Sequence, residues 1–549
     1  MKGVTYISLS KLFISFKHLL LQTSDPNPSG PVHEISFGSS SLSITDEFSI
    51  DEPYEPLPCN KRLVGYVSSW GIKDISTQQA NLLTHMIFAF IEMRADGSLV
   101  VGSADPLNAE ATAGKSEARL RQLMDVKANT GFRLKTLFAV GGWENSQHFS
   151  ATAASAQHRS NFIRDVLVIL QKYNFDGVDI DWEYPVTGGA QEGTADDKEN
   201  YITFLSEIRD SMAALQQSEG RTDAYLLTIA SAAGSWVLDV GYDLEKIVDI
   251  VDWINVMTYD YFGAWESKWG AYTGPPAPLY HGSPKGFSGK MNADYTLKYY
   301  VCNTKRPEKI VMGVPFYGRY WHNVGDPIDE SDSLWRIAEP NNQQRYDGGF
   351  SGWRDIETHW LNRDDYESIY HEKTATPFLW SASNRALLAY DNAQSLTAKV
   401  QYAASHSLGG VMIWAIDLDN DNDDLLRSIY SSGICSPDTL QEYRCNPLGT
   451  EKRWWTPEDN QPEKAGMCGR MAPLYKGFYP VCDPDDPGYG CCGQWGYCGG
   501  DSASCDCPNC VNYVLNPDKL TEEPVKPSGD VKWHTLDSKI IPGINRDVN

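Results

Sequence analysis

Four acidic residues fall within the run Asp-Gly-Val-Asp-Ile-Asp-Trp-Glu at 176–183. In a β-strand successive side chains alternate between two faces. Asp179, Asp181 and Glu183 would then share one face, with Val178, Ile180 and Trp182 on the other. Three carboxyls on one buried face cannot all ionise, so at least one must hold its proton to an unusually high pH. A carboxyl protonated near neutrality is a general acid, the group that cleavage at a poor leaving oxygen requires. The competing reading, a layer of acids satisfied by Lys or Arg, is disfavoured by the strict alternation. Asp176, at the head of the run, is read as ordering the strand entrance.

Such a stack needs a scaffold that buries one strand face. Short apolar or β-branched runs begin at Leu63, Thr84, Leu134, Asp176, Tyr225, Trp253, Lys309 and Gly409, each separated from the next by a longer stretch with helical character. That alternation predicts a parallel α/β sheet, and eight strands close a barrel. A doubly wound sheet is the alternative. Polar and aromatic residues gather where these runs end, the face on which barrel enzymes carry their sites, and this favours the barrel. About ninety residues between the seventh and eighth runs exceed one connecting helix. Residues 320–390 are therefore expected to fold as a small inserted domain.

Composition narrows the partners. The 549 residues carry a formal charge of −25, which argues against nucleic acid and anionic membrane surfaces. No apolar run approaches the roughly 18 residues that span a bilayer. Seventeen Trp and 29 Tyr exceed what packing needs and suit stacking on sugar faces. Of 12 cysteines, eight lie between Cys468 and Cys510 with no His among them. This reads as a disulfide framework rather than a metal site and implies an oxidising, extracellular compartment. Neither metal nor cofactor is expected, and the chain is read as a monomer. Residues 1–22 are apolar but interrupted by Lys11, Lys17 and His18, an atypical signal peptide. Secretion is inferred from the cysteines. The expected organisation is leader and linker over 1–57, barrel over 58–432, linker over 433–466, cysteine module over 467–512 and an extended tail over 513–549.

The acidic run resembles the DxxDxDxE signature of glycoside hydrolase family 18, and the resemblance extends over residues 60–432. It implies a (β/α)8 TIM barrel with a small α+β insertion after strand 7. It also implies a chitinase acting by the substrate-assisted route that sets this family apart from two-carboxylate glycosidases. Glu183 would protonate the glycosidic oxygen while the substrate's N-acetyl oxygen attacks the anomeric carbon. Asp181 would orient and stabilise the oxazolinium, with Asp179 behind it sharing a proton. Gly141-Gly142-Trp143 matches the family's GGW, whose glycines would leave room for substrate and Asp179. In Met257-Thr258-Tyr259-Asp260, Tyr259 would hydrogen-bond the N-acetyl carbonyl and Asp260 the sugar. Tyr317 and Arg319 match a substrate-lining pair, and Trp414 would form the floor beneath the sugar. Tyr66, Phe90, Trp143, Tyr184 and Trp265 are placed along the cleft. The insertion resembles that of deep-cleft members, which favour processive or exo-like cleavage. Non-catalytic sugar-binding relatives replace the acid, which is intact here. An inactive lectin and an endo-β-N-acetylglucosaminidase remain the alternatives.

The segment Cys491–Gly499 resembles hevein-type chitin-binding modules. Adjacent cysteines cannot readily pair with each other, so Cys491 and Cys492 cross-link different segments. The resemblance implies Cys468–Cys492, Cys482–Cys498, Cys491–Cys505 and Cys507–Cys510, with Trp495 and Tyr497 as stacking aromatics. Gly493 replaces the usual serine and Ser504 the usual aromatic, which should weaken binding by about 1–3 kcal/mol. Cys59 and Cys302 both shortly precede a strand, so a bridge between them, with Cys435 and Cys445 closing a local loop, is one pairing the sequence allows, and the sequence does not fix how these four pair.

Overall fold

The computed structural model describes residues 57–445 and 466–516, apart from 58, 103–108, 132, 285–286, 438 and 474–478. The leader and linker read over 1–57, except Leu57, lie outside the described residues, as does the tail beyond 516. Eight parallel strands form the centre: β1 Arg62–Ser68, β2 His85–Met93, β3 Lys135–Gly141, β4 Gly177–Asp181, β5 Leu226–Ser231, β6 Trp253–Val256, β7 Ile310–Pro315 and β8 Gly410–Trp414. Each pairs with the next, and β8 pairs back onto β1, with Arg62 opposite Gly410. The sheet is a closed barrel.

Strand alternation separates two apolar layers. Val178, Ile180 and Trp182 point outward into the core shared with the helices, where Trp182 stacks on Phe149 at 5.4 Å. Inside the barrel, Val64, Ile87, Leu137, Trp253, Val311 and Met412 fill the lumen. The helix Ala156–Tyr173, which feeds β4, shows how the sequence sets such elements. Ser155 caps its first turn by accepting from the His158 N–H, Asn174 ends it in the left-handed region, and Phe162, Val166, Ile169 and Leu170 form its buried face.

Between β7 and β8 lies a five-stranded antiparallel sheet in the order Gly348–Gly352, Tyr317–Trp321, Ala386–Ala389, Thr376–Ser381, Glu367–His371, with a hairpin of Val324–Asp329 and Asp332–Ala338 beside it. It begins two residues after β7 with the strand that holds Tyr317 and Arg319. Its core, including Trp321, Trp335 and Phe378, also takes in Tyr261 and Phe262 from the loop after β6.

The scattered cysteines take another of the pairings left open. Cys59 pairs with Cys435 and Cys302 with Cys445. Closure sets β1 beside β8, so the residue entering β1 meets the chain leaving the last helix, Asp424–Ser431. Residues 439–445, read as linker, lie against the barrel: the Gln441 N–H donates to the Ser405 carbonyl, and the Tyr443 and Tyr402 hydroxyls are 2.8 Å apart. The remainder, 446–465, lies outside the described residues. In the cysteine module the bridges are Cys468–Cys492, Cys482–Cys498, Cys491–Cys505 and Cys507–Cys510. Its small core includes Tyr513, which the sequence reading assigned to the tail.

Candidate active site

The acidic run enters the barrel at its amino end. There Asp176 accepts from the Thr136 N–H (2.9 Å) and pairs with Lys127 (2.6 Å) and Arg221 (2.9 Å). Burial alone would raise its pKa, but Lys127, the Thr136 N–H and the charge of Lys135 bring it below the ordinary value. This acid is structural, the one member of the run to which the satisfied-salt-bridge reading applies.

Asp179 sits in the lumen with both carboxylate oxygens occupied. The Tyr66 hydroxyl donates to Oδ2 (2.7 Å), while Thr228 Oγ1 (2.5 Å) and Asn255 Nδ2 (3.3 Å) donate to Oδ1. Burial pushes its pKa up to about 6 against the opposing pull of these donors. Asp181 is buried with Oδ1 lacking any hydrogen-bond partner. Burial, then the charges of Glu183 and Asp179, hold its carboxyl well above the usual range. Glu183 lies two residues past the last ladder pair of β4, at the carboxyl lip, its N–H donating to Ser146 Oγ (2.9 Å). Burial raises it to about 7, with Asp260 adding to the rise. One buried cluster therefore contains a carboxyl still protonated near neutrality beside an acid with an unsatisfied oxygen.

The other predicted residues surround this cluster. Tyr259, one turn of loop past β6, has its hydroxyl 3.8 Å from Met412 Sδ, a weak partner. Burial and the charges of Asp181 and Glu183 keep this phenol protonated. Asp260 takes the left-handed backbone (φ 58°), which Asp tolerates, and receives both arms of Arg319 at 2.8 Å. The Arg319 guanidinium in turn lies 4.5 Å over the Trp265 ring and 5.5 Å from that of Tyr317. Trp414 packs between Phe90 (5.6 Å) and Tyr66 (5.5 Å). Tyr184 and Met257 border the lumen cluster, and Trp143 is half exposed.

The glycine pair makes room for backbone and ring atoms of the barrel. A Cβ on Gly141 would lie 1.9 Å from the Asp181 carbonyl oxygen, and one on Gly142 2.5 Å from the Phe90 ring. Both have positive φ. They clear the β4 backbone and the Phe90 ring rather than Asp179.

Four participants went unread in the sequence. Thr228 and Asn255 are inward positions of β5 and β6, and their signal was a single polar residue inside an apolar run. Trp70, stacked on Phe90 at 6.2 Å and 62% exposed, stands two residues past β1. Phe350, 4.9 Å from Tyr317, arrives from the insertion with Arg319 as its cross-strand neighbour.

Fold and site together define a class: a closed (β/α)8 barrel with an acid stack at the carboxyl end of its fourth strand and aromatic rings around the mouth. The chain belongs to the glycosyl hydrolases family 18, whose model matches residues 62–419. It is 36% identical to chitinase A1 of Niallia circulans over 308 residues, 55% of this chain and 43% of that protein. It is 30% identical to chitinase B of Serratia marcescens over 404 residues, 65% of this chain and 77% of that one. The chain thus spans less than half the length of the first relative and about three quarters of the second. Among solved structures, the Group IV chitinase of Ostrinia furnacalis in complex with allosamidin superposes with a TM-score of 0.55 at 31% identity, covering 67% of this chain and 97% of that one.

Proposed function

We propose that this protein is a secreted chitinase that hydrolyses β-1,4-linked N-acetylglucosamine polymers with retention, the substrate's own N-acetyl group serving as nucleophile. The observation that carries the proposal is Glu183, buried at the barrel lip with a pKa of about 7 and coupled in charge to Asp181. Protonated Glu183 gives its proton to the glycosidic oxygen as the bond to the anomeric carbon breaks. The N-acetyl oxygen bonds to that carbon, forming an oxazolinium. Asp181, whose Oδ1 has no hydrogen-bond partner among the described residues, accepts from the acetamido N–H and, sharing its proton with Asp179, stabilises the positive charge. Tyr259, protonated and weakly engaged, donates to the acetamido oxygen and holds it in line. Water then adds to the anomeric carbon, its proton passing to the Glu183 carboxylate, and the ring of the intermediate opens with net retention.

The names of the relatives point to the same substrate, and the described residues include no helix long and apolar enough to cross a membrane. In the cysteine module Trp495 is 67% exposed and unclaimed by the small core. Trp495 and Tyr497 are assigned to chitin binding. The test is N-acetylglucosamine hexamer incubated with the parent and with Glu183→Gln, products read by mass spectrometry. Shorter oligomers from the parent alone are expected. Intact hexamer in both would leave a lectin or an enzyme for another glycan.

A further inference from the structure

The cysteine module meets the barrel through a short acidic loop. Between Cys482 and Cys491, Asp483 pairs with Lys290 and Asp485 with Lys298, each at 2.5 Å. Asp486 is buried and accepts from the Gly289 N–H (2.6 Å) and the Ser288 hydroxyl (3.0 Å). The backbones also interlock. A Cβ on Gly289 would lie 2.6 Å from Pro487 Cδ and 2.7 Å from the Gly488 nitrogen, and one on Gly488 would lie 2.6 Å from the Phe287 carbonyl oxygen. Two ion pairs, a buried carboxylate on a backbone N–H and two facing glycines are a built interface, whereas a tethered domain resting on a surface needs none of them.

Its location matters. Ser288–Lys290 closes the loop after β6, and Lys298 stands on the helix Ala293–Thr304 that this loop enters. Loops that follow barrel strands lie at the carboxyl end, the end that holds Glu183. The same loop starts with Tyr259 and Asp260, carries Trp265 and the exposed Trp269, and continues through ring contacts from Trp269 to Tyr272 (6.2 Å) and Tyr272 to Phe287 (4.9 Å).

We infer that Asp483, Asp485 and Asp486 latch the module to the catalytic end of the barrel, so that a chitin chain held by Trp495 and Tyr497 is presented to the cleft in a fixed geometry. The presentation half rests on the proposed function, and the latch does not. Two sites on one rigid body act on a polymer at an effective concentration set by their spacing, which a loose tether dilutes. The latch therefore matters for insoluble chitin and not for short soluble oligomers, which the cleft binds alone.

Charge reversal in the full chain tests this. K290E/K298E and D483K/D485K each break the ion pairs, and the fourfold swap restores them with opposite polarity. Hydrogen exchange at the Gly289 amide is expected to rise roughly tenfold or more in either double variant and to return towards the parent rate in the swap. Turnover of insoluble chitin should fall about threefold or more and recover with the swap, while hexamer cleavage stays within about twofold throughout. Intact hexamer cleavage also reports a folded barrel. Unchanged exchange in both double variants would overturn the latch. Faster exchange with undiminished turnover of insoluble chitin would overturn fixed presentation. A parent that cleaves no chitin overturns the catalytic reading and the presentation with it, and Gly289 exchange still decides the latch.

Discussion

Glu183, Asp181 and Asp179 hold fewer negative charges than carboxyls because burial in the lumen withholds solvent from all three, and the donors that reach Asp179 and Glu183 offset this only in part. For Glu183 the folded pKa, about 7, lies above the ordinary 4.5. Its protonated form therefore contributes stability that is fully present below the ordinary carboxyl range and is lost as pH rises through about 7. Glu183→Gln removes this titration. Urea unfolding should find the variant close to the parent at pH 4 and more stable at pH 8, by no more than about 3 kcal/mol. Parallel stability curves would contradict the raised value. As the proposed general acid, Glu183 is expected to give hexamer cleavage by the parent an alkaline limb near pH 7 in a pH–rate profile. The acids were legible in the sequence because alternation is strict and each sits beside an apolar residue facing the other way. Thr228 and Asn255 were not, since one polar residue in an apolar strand carries no mark of its partner.

At the scale of elements, the insertion supplies part of the site. Its first strand carries Tyr317 and Arg319, and Gly348–Gly352 lays Phe350 across from Arg319. Truncating Phe350→Ala removes one ring from this wall but leaves the acids untouched. A ring contact of this kind contributes about 1 kcal/mol, so KM for a hexamer should rise roughly fivefold while kcat changes little. A fall in kcat at constant KM would place Phe350 in the chemistry instead. The eight strands were readable from their apolar runs to within a few residues. The insertion opens with the strand Tyr317–Trp321, close to the expected start at about 320, and Val-Pro-Phe-Tyr-Gly-Arg-Tyr-Trp passes from β7 into it without a turn signal. Phe350 could not be read at all, for its place depends on antiparallel pairing across about thirty residues that only the folded sheet specifies.

For the whole molecule, closure decides what local sequence leaves open. Cys59 and Cys435 are 376 residues apart, and nothing in their neighbourhoods names the other. Their pairing follows only once β8 lies against β1. Removing this bridge by C59A/C435A frees both ends of the barrel, and the denaturant midpoint should fall by the equivalent of about 3–5 kcal/mol, with hexamer cleavage retained at low temperature. An unchanged midpoint would mean that the barrel ends are held by packing alone. The acidic loop of the module was likewise visible only as spacing between cysteines, because its lysine partners lie nearly two hundred residues earlier. The Cys59–Cys435 bond also gives the catalytic region the connectivity of a ring. A protease that cuts once anywhere between those residues leaves two pieces still covalently joined, and only a reductant would part them.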